Sequence, residues 1–166
     1  MAIRLGLGIS RFPFDLAMDY WKWVDLCESG GVDSIWQTDR LVSKEAMLEC
    51  MSTMAALAGH TKIIRFGMNV ASIALRDPLL TAKQCATIDF LSDGRLLPAF
   101  GLGSALSQDY CATGTATKKR GKTKESYEKL QKATKKLQKN YKKLQQATKN
   151  TKKNYKKNYK KLQKTT

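Results

Sequence analysis

The sequence predicts an α/β fold in its first 117 residues, built from about four βα units. Short apolar runs that contain glycine alternate with longer segments whose apolar residues follow helical spacing. The order is strand, helix, strand, helix, strand, helix, strand, which favours parallel strands joined by right-handed crossovers. Every Trp, Pro, Phe and Cys lies before residue 118, so the residues able to build a core are concentrated there.

The first two units occupy residues 3 to 59. Residues 3–9 are a short apolar run that contains glycine, which is typical of a strand buried on both faces. The next segments predict a helix, a strand and a helix, at residues 15–28, 33–38 and 46–58. Gly30 and Gly31 end the first helix, and Gly59 ends the second.

The next two strands flank a third helix. Residues 63–70 predict the third strand, and the helix that follows runs to about Leu91. Asp77 is a suitable N-cap for it, and Pro78 fits the first helical position, where no backbone N–H is needed. A Ser-Asp-Gly turn then leads into the fourth strand, residues 95–100.

A second domain is predicted from residue 118 to residue 166. It contains 20 Lys and Arg and 2 Glu, a net charge of +18, whereas residues 1–117 have a net charge of −2. Residues 127–140 are repeated in altered form by residues 141–154. The period of 14 is two heptads, with six residues at a and d spacing: Tyr127, Leu130, Thr134, Leu137, Tyr141 and Leu144. Because later seam positions become polar and like charges repel at i,i+4, we expect fraying helix or disorder, with a coiled coil as the alternative.

Several classes of site are disfavoured by composition. The four cysteines contain no C-x-x-C pair and the chain has a single histidine, His60, so no metal site is predicted. Cys27, Cys50 and Cys85 lie among apolar helical positions, which favours buried free thiols and a cytoplasmic location. His60 is interpreted as a surface or helix-end residue. No apolar stretch approaches the length of a membrane span.

Three stretches carry a family resemblance: residues 36–40 (WQTDR), residues 67–70 (GMNV) and the long run from Arg76 to Arg95. Together they resemble the luciferase-like monooxygenase family. This resemblance covers roughly residues 3–114, about half of a barrel. It implies a (β/α)8 barrel that uses FMN or the deazaflavin F420 and acts on a small-molecule substrate at the C-terminal ends of its strands.

The resemblance also implies site residues. Asp39 matches a position that contacts the cofactor in the family. Met68, Asn69 and Val70 match a bulge in the third strand that supports the flavin ring through a non-prolyl peptide. Gly101 ends the fourth strand and so lies among the C-terminal strand ends where the resemblance places the cofactor. Arg40 stands where many deazaflavin-dependent relatives have an acid/base histidine.

Arg40 is the catalytic candidate, with a restricted chemistry. A guanidinium stays protonated and donates hydrogen bonds without accepting a proton. Arg40 is therefore expected to stabilise a reduced, anionic flavin or to orient an acidic substrate, and not to act as a general base. The structural alternative is an Asp39–Arg40 pair that merely ends the second strand.

Three functional hypotheses stay open at this stage. One is an incomplete oxidoreductase with weak or no activity, whose exposed strand edges favour self-association. Another is a module whose basic tail binds polyanions without sequence specificity. In the third, the chain is non-enzymatic: a chimeric, designed or frameshifted sequence in which the tail has replaced the rest of a barrel.

Overall fold

The computed structural model describes residues 3–103, 108–113, 128–133, 135, 136 and 139. Ten labelled elements occur in the described residues, together with a 3-10 turn at Ile73–Leu75. In chain order they are β1 (Gly6–Ile9), α1 (Ala17–Ser29), β2 (Ser34–Gln37), α2 (Cys50–His60), β3 (Arg65–Met68), β4 (Ala71–Ser72), α3 (Pro78–Leu91), β5 (Leu96–Leu97), β6 (Phe100–Gly101) and α4 (Gln108–Ala112).

The strands form a parallel sheet, as the βα pattern predicts. Its order is β1-β2-β3-β5, and every pairing is parallel. The two short strands β4 and β6 make a second parallel pair that follows on from β3 and β5. Parallel neighbours linked by helices place the C-terminal ends of all these strands at one edge, the barrel mouth.

Two predicted strands are shorter and are interrupted. The third strand stops at Met68 and resumes at Ala71, and the intervening Asn69–Val70 peptide bond is cis. The fourth strand breaks between Leu97 and Phe100. Pro98 lies in this gap and has no N–H to donate to a ladder, which accounts for the second break.

Helix ends follow their capping groups. The predicted start of α3 is confirmed, because Asp77 accepts a hydrogen bond from the Leu80 N–H at 2.7 Å and Pro78 is the first residue. The prediction for α2 was wrong at both ends. Its N-cap is Glu49, whose carboxylate accepts from the N–H groups of Met51 and Ser52, and the helix continues through Gly59 to His60.

The core lies between α1, α2, α3 and one face of the sheet. It is built from buried aliphatic, aromatic and sulfur-containing side chains, among them Val24, Cys27, Cys50, Met54, Leu57, Ile64, Phe66, Met68, Cys85 and Ile88. Cys27, Cys50 and Cys85 are buried and free, as predicted. Burial, followed by the nearby Asp89, raises the pKa of the Cys85 thiol to about 12, so this thiol stays neutral and unreactive.

At the edge of the sheet opposite the mouth, two charged side chains, Arg95 and Glu28, form hydrogen bonds with the backbone. The Arg95 guanidinium donates to the carbonyl oxygens of Ala58, Thr61 and Ile64, and so caps the C-terminal end of α2. Glu28 Oε1 accepts from three consecutive backbone N–H groups, residues 62–64, at 2.6–3.1 Å. Arg95, just before β5, and Glu28, near the end of α1, are thus both joined to the segment that connects α2 with β3.

His60 lies at this same edge, as the last residue of α2. Its Nε2 atom is 2.7 Å from Asp25 Oδ1, and its ring stacks on Trp21 with centroids 4.4 Å apart. The interpretation of His60 as a helix-end residue is confirmed. The position places it at the end of the strands remote from the mouth.

Part of the lysine-rich region packs against the sheet and α3. Residues 128–133 are helical, and Leu130 is 2% exposed. Leu130 forms a small cluster with Ile73 and Ala82, against which Ala133 and Phe100 also pack. The coiled-coil seam and the remainder of the 14-residue repeat lie outside the described residues. No helix in the part that the structure describes is long and apolar enough to cross a bilayer.

Replacement of Leu130 tests whether this contact contributes to folding. We expect Leu130→Ala to lower the free energy of unfolding by about 2–3 kcal/mol, because it removes a buried side chain and leaves a cavity. Urea denaturation followed by circular dichroism measures the change. The exposed neighbour Gln131→Ala is the control, and equal stability of the two variants would show that the docked helix does not stabilise the sheet.

Glu28 should make stability depend on pH. Burial alone would raise the pKa of Glu28, but the three backbone hydrogen bonds and Arg95 outweigh it and lower that pKa. A lowered pKa in the folded state gives stability that is present above the unfolded value and is lost as the pH falls through the folded value. We expect Glu28→Gln to cost about 1 kcal/mol at pH 7 and to flatten the loss of stability below about pH 4.5.

The measurement is urea unfolding between pH 3 and pH 7. Asp15→Asn serves as the control, because the Asp15 carboxylate forms no hydrogen bond or ion pair with any other described residue. A pH profile for Glu28→Gln that is parallel to the wild-type profile would contradict the assignment.

Candidate active site

The barrel mouth gathers the residues that follow each strand. Ser10 and Arg11 follow β1, Asp39 and Arg40 follow β2, Asn69 and Val70 follow β3, and Gly101 ends β6. The parallel register brings these positions to one edge of the sheet, so the predicted site residues do converge. Their side chains, however, face two different environments, one buried and one open.

Asp39 lies in the buried environment. Its side chain is 1% exposed, and its Oδ1 atom is 2.7 Å from the Nη2 atom of Arg76. Its second oxygen, Oδ2, accepts from the backbone N–H of Ser72 at 3.0 Å. Asp39 therefore joins the end of β2 to β4 and to Arg76, which precedes α3. Contact between Asp39 and a cofactor stays a prediction.

Arg76 is the cation at the centre of this buried cluster. It donates to Asp39 Oδ1, to Glu49 Oε1 at 2.9 Å and to Cys50 Sγ at 3.2 Å. Burial alone would lower the pKa of Arg76, but the hydrogen bonds and the negative charges of Asp39 and Glu49 outweigh it, and its pKa is raised. The guanidinium stays charged, and it occupies the space between three groups that would otherwise resemble a metal-ligand set.

The two partners of Arg76 on α2 are held in fixed protonation states. Burial opposes the charge of Glu49, but hydrogen bonds from the N–H groups of Ser52 and Met51 and from Arg76 lower its pKa. Burial and the neighbouring Asp39 raise the pKa of Cys50 far above its ordinary value. Glu49 is thus an anion and Cys50 a neutral thiol, so this cluster is suited to holding elements together and not to proton transfer.

Arg40 lies in the open environment, next to Asp39 in sequence but pointing elsewhere. Its side chain is 49% exposed, and its Nη1 atom is 3.8 Å from Asp109 Oδ2. Asp39 and Arg40 do not pair with each other: Asp39 pairs with Arg76, whereas Arg40 pairs with Asp109. A purely structural role for the two residues stays an alternative prediction. The guanidinium is free on its solvent side to contact a ligand.

Asp109 is a residue that the sequence analysis missed. It is 3% exposed, and its Oδ1 atom accepts from the backbone N–H groups of Leu41 and Val42 at 2.9 and 2.6 Å. Asp109 on α4 therefore fixes the loop that follows β2, together with Arg40. These partners are 67 and 68 positions away along the chain, so no local pattern marks the residue.

A groove opens at the mouth beside Arg40. We call it the mouth groove; its volume is about 510 Å³, and it is lined by Ser10, Arg11, Arg40, Val42, Ser43, Lys44, Glu45, Met47 and Gln108. Arg11 and Glu45 form an ion pair across it at 2.9 Å. Lys44 forms no ion pair with any described residue. The groove is thus polar and carries more positive than negative side chains.

The residues predicted to support a ring are split by burial. Met68 is fully buried in the core, so its side chain is turned away from the mouth. Asn69 and Val70 are exposed, Val70 at 40%. A Cβ atom at Gly101 would lie 2.7 Å from Val70 Cγ2, so a larger residue there would require the Val70 side chain to move.

These features fit the ring of a flavin or deazaflavin. Asn69 provides an exposed amide and Val70 an exposed apolar side chain, and Gly101 adds no side chain to this surface. A flat ring with polar edges requires such a combination of polar and apolar contacts. Arg40, which follows β2, adds a permanently charged hydrogen-bond donor. Contact of Asn69, Val70 and Gly101 with the ring stays a prediction, and Arg40 lines the groove.

Comparison with known proteins shows the family. The profile of the luciferase-like monooxygenase family matches residues 17–152, most of the chain. This chain belongs to the luciferase-like monooxygenase family. The match extends beyond residue 117 into the lysine-rich region.

Curated relatives give the same result at the level of sequence. The chain is 28% identical over 105 residues to the 5,10-methylenetetrahydromethanopterin reductase of Methanolobus tindarius, covering 63% of this chain and 31% of the relative. It is 27% identical over 111 residues to the F420-dependent glucose-6-phosphate dehydrogenase of Amycolatopsis mediterranei, covering 64% and 33%. The chain thus spans about a third of the length of these relatives.

Solved structures share the fold. The monooxygenase RslO1 from Streptomyces bottropensis has a TM-score of 0.67 at 17% identity, over 77% of this chain and 42% of that one. The oxygenating constituent of 3,6-diketocamphane monooxygenase from Pseudomonas putida, in complex with FMN, has a TM-score of 0.63 at 20% identity, over 82% and 39%. Both predicted cofactors, FMN and F420, are therefore found among the proteins that this chain resembles.

Removal of Arg76 tests the buried cluster. We expect Arg76→Met to lower the free energy of unfolding by about 3–5 kcal/mol, because it leaves the buried Asp39 carboxylate without its counter-ion. The double variant Asp39→Asn with Arg76→Met should recover part of this loss, since no charge is then left unpaired. Urea unfolding at pH 7 measures both.

The control is Arg11→Met, which breaks an exposed ion pair and should cost about 1 kcal/mol or less. Equal losses for Arg76→Met and Arg11→Met would contradict the central place of Arg76. A double variant less stable than Arg76→Met would contradict the unpaired-charge explanation.

Proposed function

We propose that this chain is a flavin- or deazaflavin-dependent oxidoreductase whose cofactor ring lies at the barrel mouth. The observation that carries the proposal is that exposed residues follow the neighbouring parallel strands β2 and β3 at one edge of the sheet, Arg40 after β2 and Asn69 and Val70 after β3, in a chain of this family. A bound flavin or deazaflavin would supply hydride transfer, while the protein supplies position and electrostatics.

Arg40 acts in this proposal as a hydrogen-bond donor and a fixed positive charge. It stabilises negative charge on a reduced ring or on an acidic substrate, and it does not take up a proton. His60, the single histidine of the chain, lies at the opposite edge of the sheet, paired with Asp25. An acid/base histidine at the mouth is therefore not part of the proposal.

We also propose that the chain on its own binds its cofactor weakly, with low or no turnover. The chain spans about a third of the length of its curated relatives. Within the described residues, β1 and β5 are the edges of the larger sheet, and edge strands favour pairing with a second copy. Non-specific binding of polyanions by the lysine-rich region stays a prediction from its charge.

The test is size-exclusion chromatography of the full chain on a column equilibrated with FMN or with F420, so that weak binding is also detected, recorded at the absorbance band of the cofactor. We expect a band that co-elutes with the protein, at the volume of a dimer. Val70→Trp should abolish retention, because the indole would cover the ring surface. Leu26→Trp is the matched control, since Leu26 is 70% exposed on α1.

Colourless protein with both cofactors would overturn the proposed function. Equal retention by Val70→Trp and Leu26→Trp would overturn the proposed position of the ring. A monomer that retains the cofactor would overturn self-association alone.

A further inference from the structure

The mouth groove has an unbalanced charge. Three cationic side chains, Arg11, Arg40 and Lys44, line it, against one carboxylate, Glu45. Glu45 is already engaged by Arg11 at 2.9 Å. Among the described residues, two cations, Arg40 and Lys44, are therefore left with no close carboxylate inside the groove.

Asp109 does not compensate for this imbalance. It lies behind the groove and is 3% exposed, and its Oδ1 atom is engaged by the N–H groups of Leu41 and Val42. Its Oδ2 atom remains 3.8 Å from Arg40, close to the limit of an ion pair. Asp109 thus holds the loop that carries the cations while leaving the Arg40 guanidinium able to donate to another group.

The other groups that line the groove suit an oxygen-rich ligand. The Ser10 and Ser43 hydroxyls and the Gln108 side-chain amide are hydrogen-bonding groups that a carboxylate or phosphate could engage. Val42 and Met47 supply a small apolar surface for the rest of a molecule. A volume of about 510 Å³ accommodates a small organic acid.

We infer that the mouth groove binds the anionic group, carboxylate or phosphate, of a small acidic substrate, with Arg40 and Lys44 as its counter-charges. This inference rests on the proposed function, since Arg40 belongs both to the mouth groove and to the proposed active site. It selects the substrate-orienting role of Arg40 over a role in stabilising a reduced ring.

The experiment titrates the full-length protein with succinate and, separately, with inorganic phosphate. Binding is followed by ¹H–¹⁵N chemical-shift changes, first without a flavin and then with FMN present. We expect saturable shifts at the backbone amides of Arg40 and Lys44. Arg40→Gln and Lys44→Gln should each weaken binding about fivefold, since a partly exposed charge contributes modestly.

Lys22→Gln is the matched control, because Lys22 is an exposed lysine on α1 outside the groove and should leave the affinity unchanged. Circular dichroism of each variant shows that it is folded. Absence of saturable anion binding overturns the inference, as does an equal loss of affinity in Lys22→Gln.

FMN and riboflavin distinguish a substrate site from a cofactor-phosphate site. If the groove held the cofactor phosphate, Arg40→Gln and Lys44→Gln would weaken FMN binding and spare riboflavin, which overturns the inference. Unchanged affinity for both flavins, with weaker succinate or phosphate binding, supports it. Because the first titration needs no flavin, failure of flavin binding is read separately from failure of anion binding.

Discussion

The barrel mouth depends on one buried cation, Arg76. Its guanidinium connects the end of β2 through Asp39 with the start of α2 through Glu49 and Cys50. Asp39 in turn accepts from Ser72 in β4. Removing these charges from water is costly, and that cost is offset only while all the partners are in place. The arrangement therefore stabilises one relative position of the βα units at the edge where the site lies.

A second arginine holds the same helix at its other end. Arg76 precedes α3 and binds the N-terminal end of α2, whereas Arg95 follows α3 and donates to the last carbonyl groups of α2. The run from Arg76 to Arg95 carries much of the family resemblance. The arginines at its two ends hold the two ends of α2 and so fix α2 against α3. Both arginines act on α2, and neither needs to touch a ligand. The most specific stretch of this sequence is accordingly explained by packing and capping.

Local signals account for what the sequence could predict. The start of α3 was predicted correctly because two adjacent residues determine it, the N-cap Asp77 and the first helical residue Pro78. The parallel order followed from the alternation of strands and helices. Strand lengths could not be obtained in this way, since a ladder ends where its partner ends, and Pro98 interrupts one strand inside an apolar run.

The site was predicted less completely than the fold. The resemblance identified Asp39 and Arg40, which are adjacent in the sequence, as site residues. It did not show that the Asp39 side chain is buried and the Arg40 side chain exposed. The partners that determine these directions, Arg76 and Asp109, are 37 and 69 positions away from Asp39 and Arg40. Hydrophobic periodicity carries no information on such polar long-range contacts.

The lysine-rich region separates composition from packing. The net charge of the sequence changes sharply at residue 118. Leu130, which follows this boundary, nevertheless packs with Ile73 and Ala82, which precede it. A helix that docks on a barrel needs one apolar stripe, and the leucines of a 14-residue repeat supply such a stripe as readily as they supply a coiled-coil seam. The described lysines of this segment, among them Lys132 and Lys136, are exposed. The charge of a segment therefore does not determine whether it belongs to the core, and a single buried leucine is the more informative observation.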